Sequence, residues 1–314
     1  MKRGSLGIVA GVFLLLLVGG CEQFGGKDTA GATEGPFVGG TSGLDIAFAE
    51  QEPPDRVLDD GQQSFFITLL VKNLGEFTIP EGGLIASLSG ISRTAFGLAS
   101  LDVVNDFAIP GVSKDLPRAA EELIEFGEAG FQHDIPADFS TVLQADVCYD
   151  YQTSAIANLC LKKDVLRKGV ADVCVPDVGP LQTSNSGGPL QVRSIEERAI
   201  GKNRIKVTIT VENAGIGGVY APSTYSSVCS GGDEGMDKVL VTLSNPEDAF
   251  LVACSTFGGS NSGTIRLVNK MKDVVCTIDT DGMQDAAFSD ILVVTLDYQY
   301  RDAVRVPLIV ENAL

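Results

Sequence analysis

Histidine is almost missing from this chain: His133 is the only one among 314 residues. A Ser-His-Asp hydrolase would have to run through it. Asp134 follows directly, and neighbours on an extended backbone point apart, so that carboxylate is badly placed to orient the ring. No Gly-x-Ser-x-Gly elbow accompanies it. His133 is therefore expected at the surface. Zinc coordination loses its usual ligands too, since no Cys-x-x-Cys pair occurs. Glycine-rich phosphate loops and nucleotide fingerprints are likewise absent. Positive charge is scarce: 23 Lys and Arg stand against 41 Asp and Glu, a net charge of -18, and no basic run exceeds Lys162-Lys163. Such a surface repels phosphate backbones, which sets nucleic-acid binding aside. Only 20% of residues are charged while glycine reaches 36, a balance that suits turn-rich β structure over helical bundles.

Long apolar runs are short of membrane length as well. Near the start, Leu6 to Gly20 is an uncharged, largely apolar stretch of about 15 residues, below the roughly 20 that span a bilayer. Lys2 and Arg3 precede it, and Val18-Gly19-Gly20 leads into Cys21. This start resembles a bacterial lipoprotein signal. The resemblance implies removal of residues 1–20, lipid on Cys21, and a membrane as the first partner. Residues 22–43 are rich in glycine with no apolar period and read as a flexible tether.

Six further cysteines remain: Cys148, Cys160, Cys174, Cys229, Cys254 and Cys276. An even number in an exported chain predicts disulfides. Nearness along neighbouring strands favours Cys148 with Cys160 and Cys254 with Cys276, leaving Cys174 and Cys229 as a staple between halves.

Beyond the tether the pattern alternates. Leu44, Ile46 and Phe48 mark one strand, residues 65–71 a second, and Leu84 to Leu88 a third. The order then recurs. Val71-Lys72-Asn73-Leu74-Gly75 is matched by Val211-Glu212-Asn213-Ala214-Gly215, Leu84–Ser89 by Val239–Ser244, and Val147–Tyr151 by Leu296–Tyr300. We read a tandem duplication with insertions at 89–140 and 221–237. The segment Pro117 to Phe126 suits either a helix or a loop entering a strand at Leu123. Tyr149 and Tyr151, like Tyr298 and Tyr300, share one face of a strand, with packing and phenol tips at the rim preferred over a glycan-stacking platform.

The repeated Val-x-Asn-x-Gly strand end, with a later Tyr-containing strand, resembles the immunoglobulin-like CARDB-type modules of prokaryotic cell surfaces. That resemblance implies an all-β chain of two tandem Ig-like sandwiches, at 44–178 and 188–314, with display or adhesion as the role. The expected function is a non-catalytic, lipid-anchored component of the cell surface or periplasm that holds a protein or glycan partner, with no cofactor. A calcium- or glycan-binding receptor is the alternative: Asp279, Asp281 and Asp285 resemble the start of a calcium loop, although Met283 fills its fifth position and Asp290 its twelfth. An envelope hydrolase using paired carboxylates is the second alternative, since their spacing is a property of the fold.

Overall fold

The computed structural model describes residues 35–167, 172–176, 179–222, 229, 232–233 and 235–313. Residues 1–34, with the leader, Cys21 and most of the tether, lie outside them.

The first repeat supplies β1 (Leu44–Phe48), β2 (Arg56–Leu58), β3 (Phe65–Asn73), β4 (Leu84–Ser89), β5 (Asp102–Val104), β6 (Ala120–Ala129) and β7 (Phe139–Leu161). Two short strands follow, β8 (Gly179–Pro180) and β9 (Thr183–Asn185). The second repeat supplies β10 (Leu190–Gly201), β11 (Arg204–Asn213), β12 (Gly218–Tyr220), β13 (Lys238–Ser244), β14 (Val252–Cys254), β15 (Ser262–Arg266), β16 (Met271–Asp279) and β17 (Phe288–Glu311). The chain is all-β and its strands pair almost entirely antiparallel. Burial alternates residue by residue in β11, where Ile205, Val207, Ile209 and Val211 face inward. The segment considered for a helix is β6: Ile124 and Phe126 are buried while Leu123 and Glu125 are exposed, a period of two that a helix would scatter.

Each repeat folds the same way. β1, β3 and β6 make one sheet, and β10, β11 and β16 form the core of its counterpart. β5, β4 and β7 line up as β15, β13 and β17 do. The two halves then join edge to edge. β7 and β17 pair antiparallel from Phe139 opposite Val310 to Leu161 opposite Phe288, fusing two sheets into one of nine strands. Tyr149 stands opposite Tyr300 and Tyr151 opposite Tyr298, and Tyr149 is as far from Tyr298 in sequence as Tyr151 is from Tyr300. A local two-fold axis therefore passes through the Asp150–Gln299 pair, whose side chains hydrogen-bond at 2.8 Å. That symmetry is what an ancestral isologous dimer would leave after duplication and fusion.

The boundary near 178–188 separates the repeats in sequence, but residues 35–314 form one compact unit with a contiguous apolar core. β8 pairs with β10 and β9 with β7, so the linker itself is sewn into both sheets.

Candidate functional site

The centre of the fused body is a square of four tyrosines. Tyr149 and Tyr151 follow each other on β7, Tyr298 and Tyr300 on β17, and neighbouring ring centroids lie 5.8–6.4 Å apart. All four are at most 2% exposed, so the expected rim position for the phenol tips is corrected: the hydroxyls are interior. A buried hydroxyl needs a partner. Tyr149 Oη accepts the Leu44 N–H and Tyr298 Oη the Leu190 N–H, both at 3.3 Å, at equivalent strand starts. Tyr298 also shares a 2.8 Å bond with Thr153. Tyr151 donates to the Gly187 carbonyl at 3.1 Å, and Tyr300 accepts the Gly217 N–H at 2.7 Å. Burial pushes all four phenols above their ordinary value, Tyr300 to about 12.

This square explains the Val-x-Asn-x-Gly repeat. Asn73 Oδ1 accepts the Gly75 N–H at 3.2 Å and Asn213 Oδ1 the Gly215 N–H at 3.1 Å, closing an Asx turn in each half. Asn73 Nδ2 donates to Phe77 O, as Asn213 Nδ2 does to Gly217 O. The glycine is a matter of space. A Cβ at Gly75 would overlap the Tyr151 hydroxyl and sit 2.8 Å from the Ser42 carbonyl oxygen, and one at Gly215 would overlap the Tyr300 hydroxyl. Gly75→Ala is expected to cost about 3 kcal/mol, the upper range for overpacking. Gly282→Ala, where a Cβ meets nothing within 4 Å, is the near-neutral control. Urea midpoints check both, and Tyr151→Phe should partly relieve the first.

A cleft of about 420 Å³ lies beside this square. Its walls are the start of β1 (Gly43 to Ile46), the turn Ala214–Ile216 and the stretch Asp302–Val304 of β17. Tyr149 and Tyr300 lie against it, and Asp45 and Asp302 are among its lining residues. Burial raises the Asp302 pKa, while the Ala303 N–H, donating to Asp302 Oδ1 at 2.9 Å, lowers it. Backbone, two carboxylates and apolar rims suit the holding of a chain.

The other residues singled out by sequence fall elsewhere. The disulfides are Cys148–Cys229, Cys160–Cys174 and Cys254–Cys276. Cys254–Cys276 agrees with expectation, because both lie on neighbouring strands, β14 and β16. The other two expected pairs are corrected. Cys148 and Cys160 stand on the same strand, β7, and twelve residues of extended chain hold them roughly 40 Å apart. Instead Cys148 of the first repeat joins Cys229 in the insertion of the second. Three bridges place the chain in an oxidising, exported setting. Asp279 Oδ1 accepts the Asp281 N–H at 2.9 Å, Asp281 Oδ1 accepts from Asn203 Nδ2 at 2.8 Å, and Asp285 is exposed. Among the described residues no three His, Cys, Asp or Glu side chains converge on a metal-sized point. His133 is exposed, its ring edge-on to Phe131 at 5.9 Å. Among the described residues no helix is long and apolar enough to cross a membrane.

Glu76 is the functional residue that sequence reasoning missed. Its carboxylate accepts the N–H groups of Val38 and Gly39, each at 2.9 Å, and of Gly187 at 2.6 Å. It therefore ties the segment before β1 to the linker before β10. Its counterpart after the second Asx turn is Ile216, which is 91% exposed and lines the open cleft. The signal lay in aligning the two motifs one residue further.

No family model matches the chain, and no curated protein matches it. Among solved structures it is similar to the secreted serine protease VesC from Vibrio cholerae, at 12% identity and a TM-score of 0.20, over 82% of this chain and 50% of that one. The chain thus spans about half the length of that protein. It is similar also to the serine-rich repeat adhesion glycoprotein Srr1 from Streptococcus agalactiae, at 10% identity and a TM-score of 0.16, over 84% and 90% of the two chains. Likeness at this level assigns neither an activity nor a partner to the chain.

Proposed function

We propose that the chain is an exported, lipid-anchored and non-catalytic binding body that presents its fused sandwiches to a protein partner at the cell surface or in the periplasm. The observation that carries this is the cleft on β17: its walls are backbone, acidic residues and apolar rim, while the tyrosine hydroxyls beneath it are already taken by backbone N–H groups of their own halves, Leu44 for Tyr149 and Gly217 for Tyr300. The Cys148–Cys229 bridge fixes one repeat to the other, which suits a rigid platform. The leader and Cys21 supply the anchor, and two acyl chains hold a protein stably where one does not.

Both parts are testable in the host envelope. Wild type is expected in the membrane fraction with lipid mass on Cys21, and Cys21→Ser is expected to leave that fraction almost completely. Retention of the variant in membranes, or an unmodified Cys21 within an intact leader by mass spectrometry, would refute the anchor. Cross-linking on intact membranes tests partner binding: recovery of one protein in fixed ratio is expected, and recovery of none contradicts it.

A further inference from the structure

The two-fold axis relates the cleft to a groove that is already filled. On β7 the outer edge at Ala155–Ala157 is covered by β9, with Ala155 opposite Asn185 and Ala157 opposite Thr183. The Ser186 N–H donates to the Ser154 carbonyl at 2.8 Å, and the Ser154 N–H to Ser186 Oγ at 2.9 Å. The linker 179–188 thereby closes that mouth of the sandwich, with β8 on the β10 edge and β9 on the β7 edge.

Among the described residues the matching edge of β17 is open. Tyr149 answers to Tyr298, so Ser154, Ala155 and Ala157 answer to Ala303, Val304 and Val306 by the same displacement along the chain. β12 pairs with β17 no further than Arg301, and β2 begins at Ile309. Between them no described strand covers the edge. The segment that symmetry would bring here, residues 37–39, is held on the other side by Glu76.

The backbone of this edge is set for pairing. Ile309 turns its N–H outward to the Asp55 carbonyl, and alternation turns Arg305 and Ala303 the same way. The Ala303 N–H is met by Asp302 Oδ1, as its counterpart Ser154 is met by Ser186 Oγ. That hydrogen bond is already satisfied before any ligand arrives. Arg305 is the counterpart of Ile156, the residue opposite Ser184. Pro307, which has no N–H to offer, answers to Asn158, one step past the covered stretch, so it ends the open edge without blocking it.

We infer that the β17 edge at Ala303–Val306 accepts an extended segment of a partner polypeptide as an added antiparallel strand, in the manner β9 occupies β7. The preferred segment has small, uncharged side chains like Thr183-Ser184-Asn185-Ser186-Gly187-Gly188, which occupies the equivalent edge, and Asp45 and Asp302 beside the β17 edge repel acidic residues. Main-chain bonds supply the affinity of such strand addition and the alternate side chains its selectivity. The inference rests on the proposed binding role and names its mode.

The probe is a synthetic peptide of residues 181–188, Leu-Gln-Thr-Ser-Asn-Ser-Gly-Gly, titrated into the oxidised full chain in detergent by calorimetry. Saturable one-to-one binding is expected. N-methylation of the peptide nitrogen at the Ser184 position, which faces the edge, should weaken binding at least 10-fold, whereas N-methylation at the Asn185 position should be tolerated. Arg305→Pro should weaken it as much while leaving the melting temperature within a few degrees, because the lost N–H points to solvent. No saturation at millimolar peptide, or equal affinity after N-methylation at Ser184, overturns the inference, and the second arm needs no altered protein. Should Arg305→Pro still capture the cross-linked membrane partner, the edge is wrong and the binding role stands. Should neither peptide nor partner bind, both fall.

Discussion

Raising the pH above about 10 is expected to unfold the protein in one steep step, led by the tyrosine square. Below the ordinary phenol value both folded and unfolded chains keep these protons, and the square contributes its full stability. Above it the unfolded chain ionises while the buried phenols do not, because their values are raised, Tyr300 to about 12 and the others in the same direction. Stability is therefore lost as pH rises from the unfolded value through the folded ones, by about 1.4 kcal/mol per pH unit for each tyrosine. Four acting together remove about 5 kcal/mol per unit, against a total that for a domain is about 5–15 kcal/mol. The chain has no tryptophan and six tyrosines, so four of the six phenols read by tyrosinate absorbance belong to the square. Its rise should coincide with loss of the strand signal in circular dichroism, and Tyr298→Phe should make the pH slope shallower by about one tyrosine's share. Smooth ionisation near pH 10 with the strands intact would show that the hydroxyls are not sealed.

Removing the Cys148–Cys229 bridge is the second large effect. The bridge closes a loop of 81 residues and ties β7 to the insertion of the other repeat, where Cys148 is fully buried. In the chain-entropy account a loop of that length stabilises by about 4 kcal/mol, and the Cys160–Cys174 loop of 14 residues by about 3 kcal/mol. The paired variant Cys148→Ala with Cys229→Ala should thus lower the urea midpoint more than the matching Cys160/Cys174 pair. Full reduction of the three bridges removes about 10 kcal/mol on the same basis, comparable to the whole stability of a domain. The fold then belongs to an oxidising compartment for energetic reasons, in keeping with an exported chain. Equal loss from the two pairs would mean that Cys148–Cys229 constrains the unfolded chain no more than a local loop does.

Strand identity and the like order of strands in the two halves were legible because alternation and the Asn-x-Gly turn are local signals. Ile205 to Val211 could be placed inward from spacing alone, and Val71-Lys72-Asn73-Leu74-Gly75 found its partner by inspection. Strand length was harder. β7 runs for 23 residues with no glycine or proline to break it, and that missing punctuation was the clue that Cys148 and Cys160 share one strand. The edge-to-edge joining of β7 and β17 is a long-range choice that no window of sequence contains, and the cleft depends on it. Glu76 and Ile216 differ visibly in the sequence, yet their meaning appears only once the axis relates them. The acidic residues Asp279, Asp281 and Asp285 looked like ligands because their spacing was local, whereas Asp279 and Asp281 are engaged in turn and neighbour bonds and Asp285 stands exposed.

The central claim is that two repeats share one core through the β7–β17 seam and the tyrosines beneath it. Differential scanning calorimetry of the oxidised full chain tests it most directly. A single transition is predicted, with the calorimetric enthalpy equal to the van't Hoff enthalpy. Two separable transitions, each with the enthalpy of about half the chain, would contradict it.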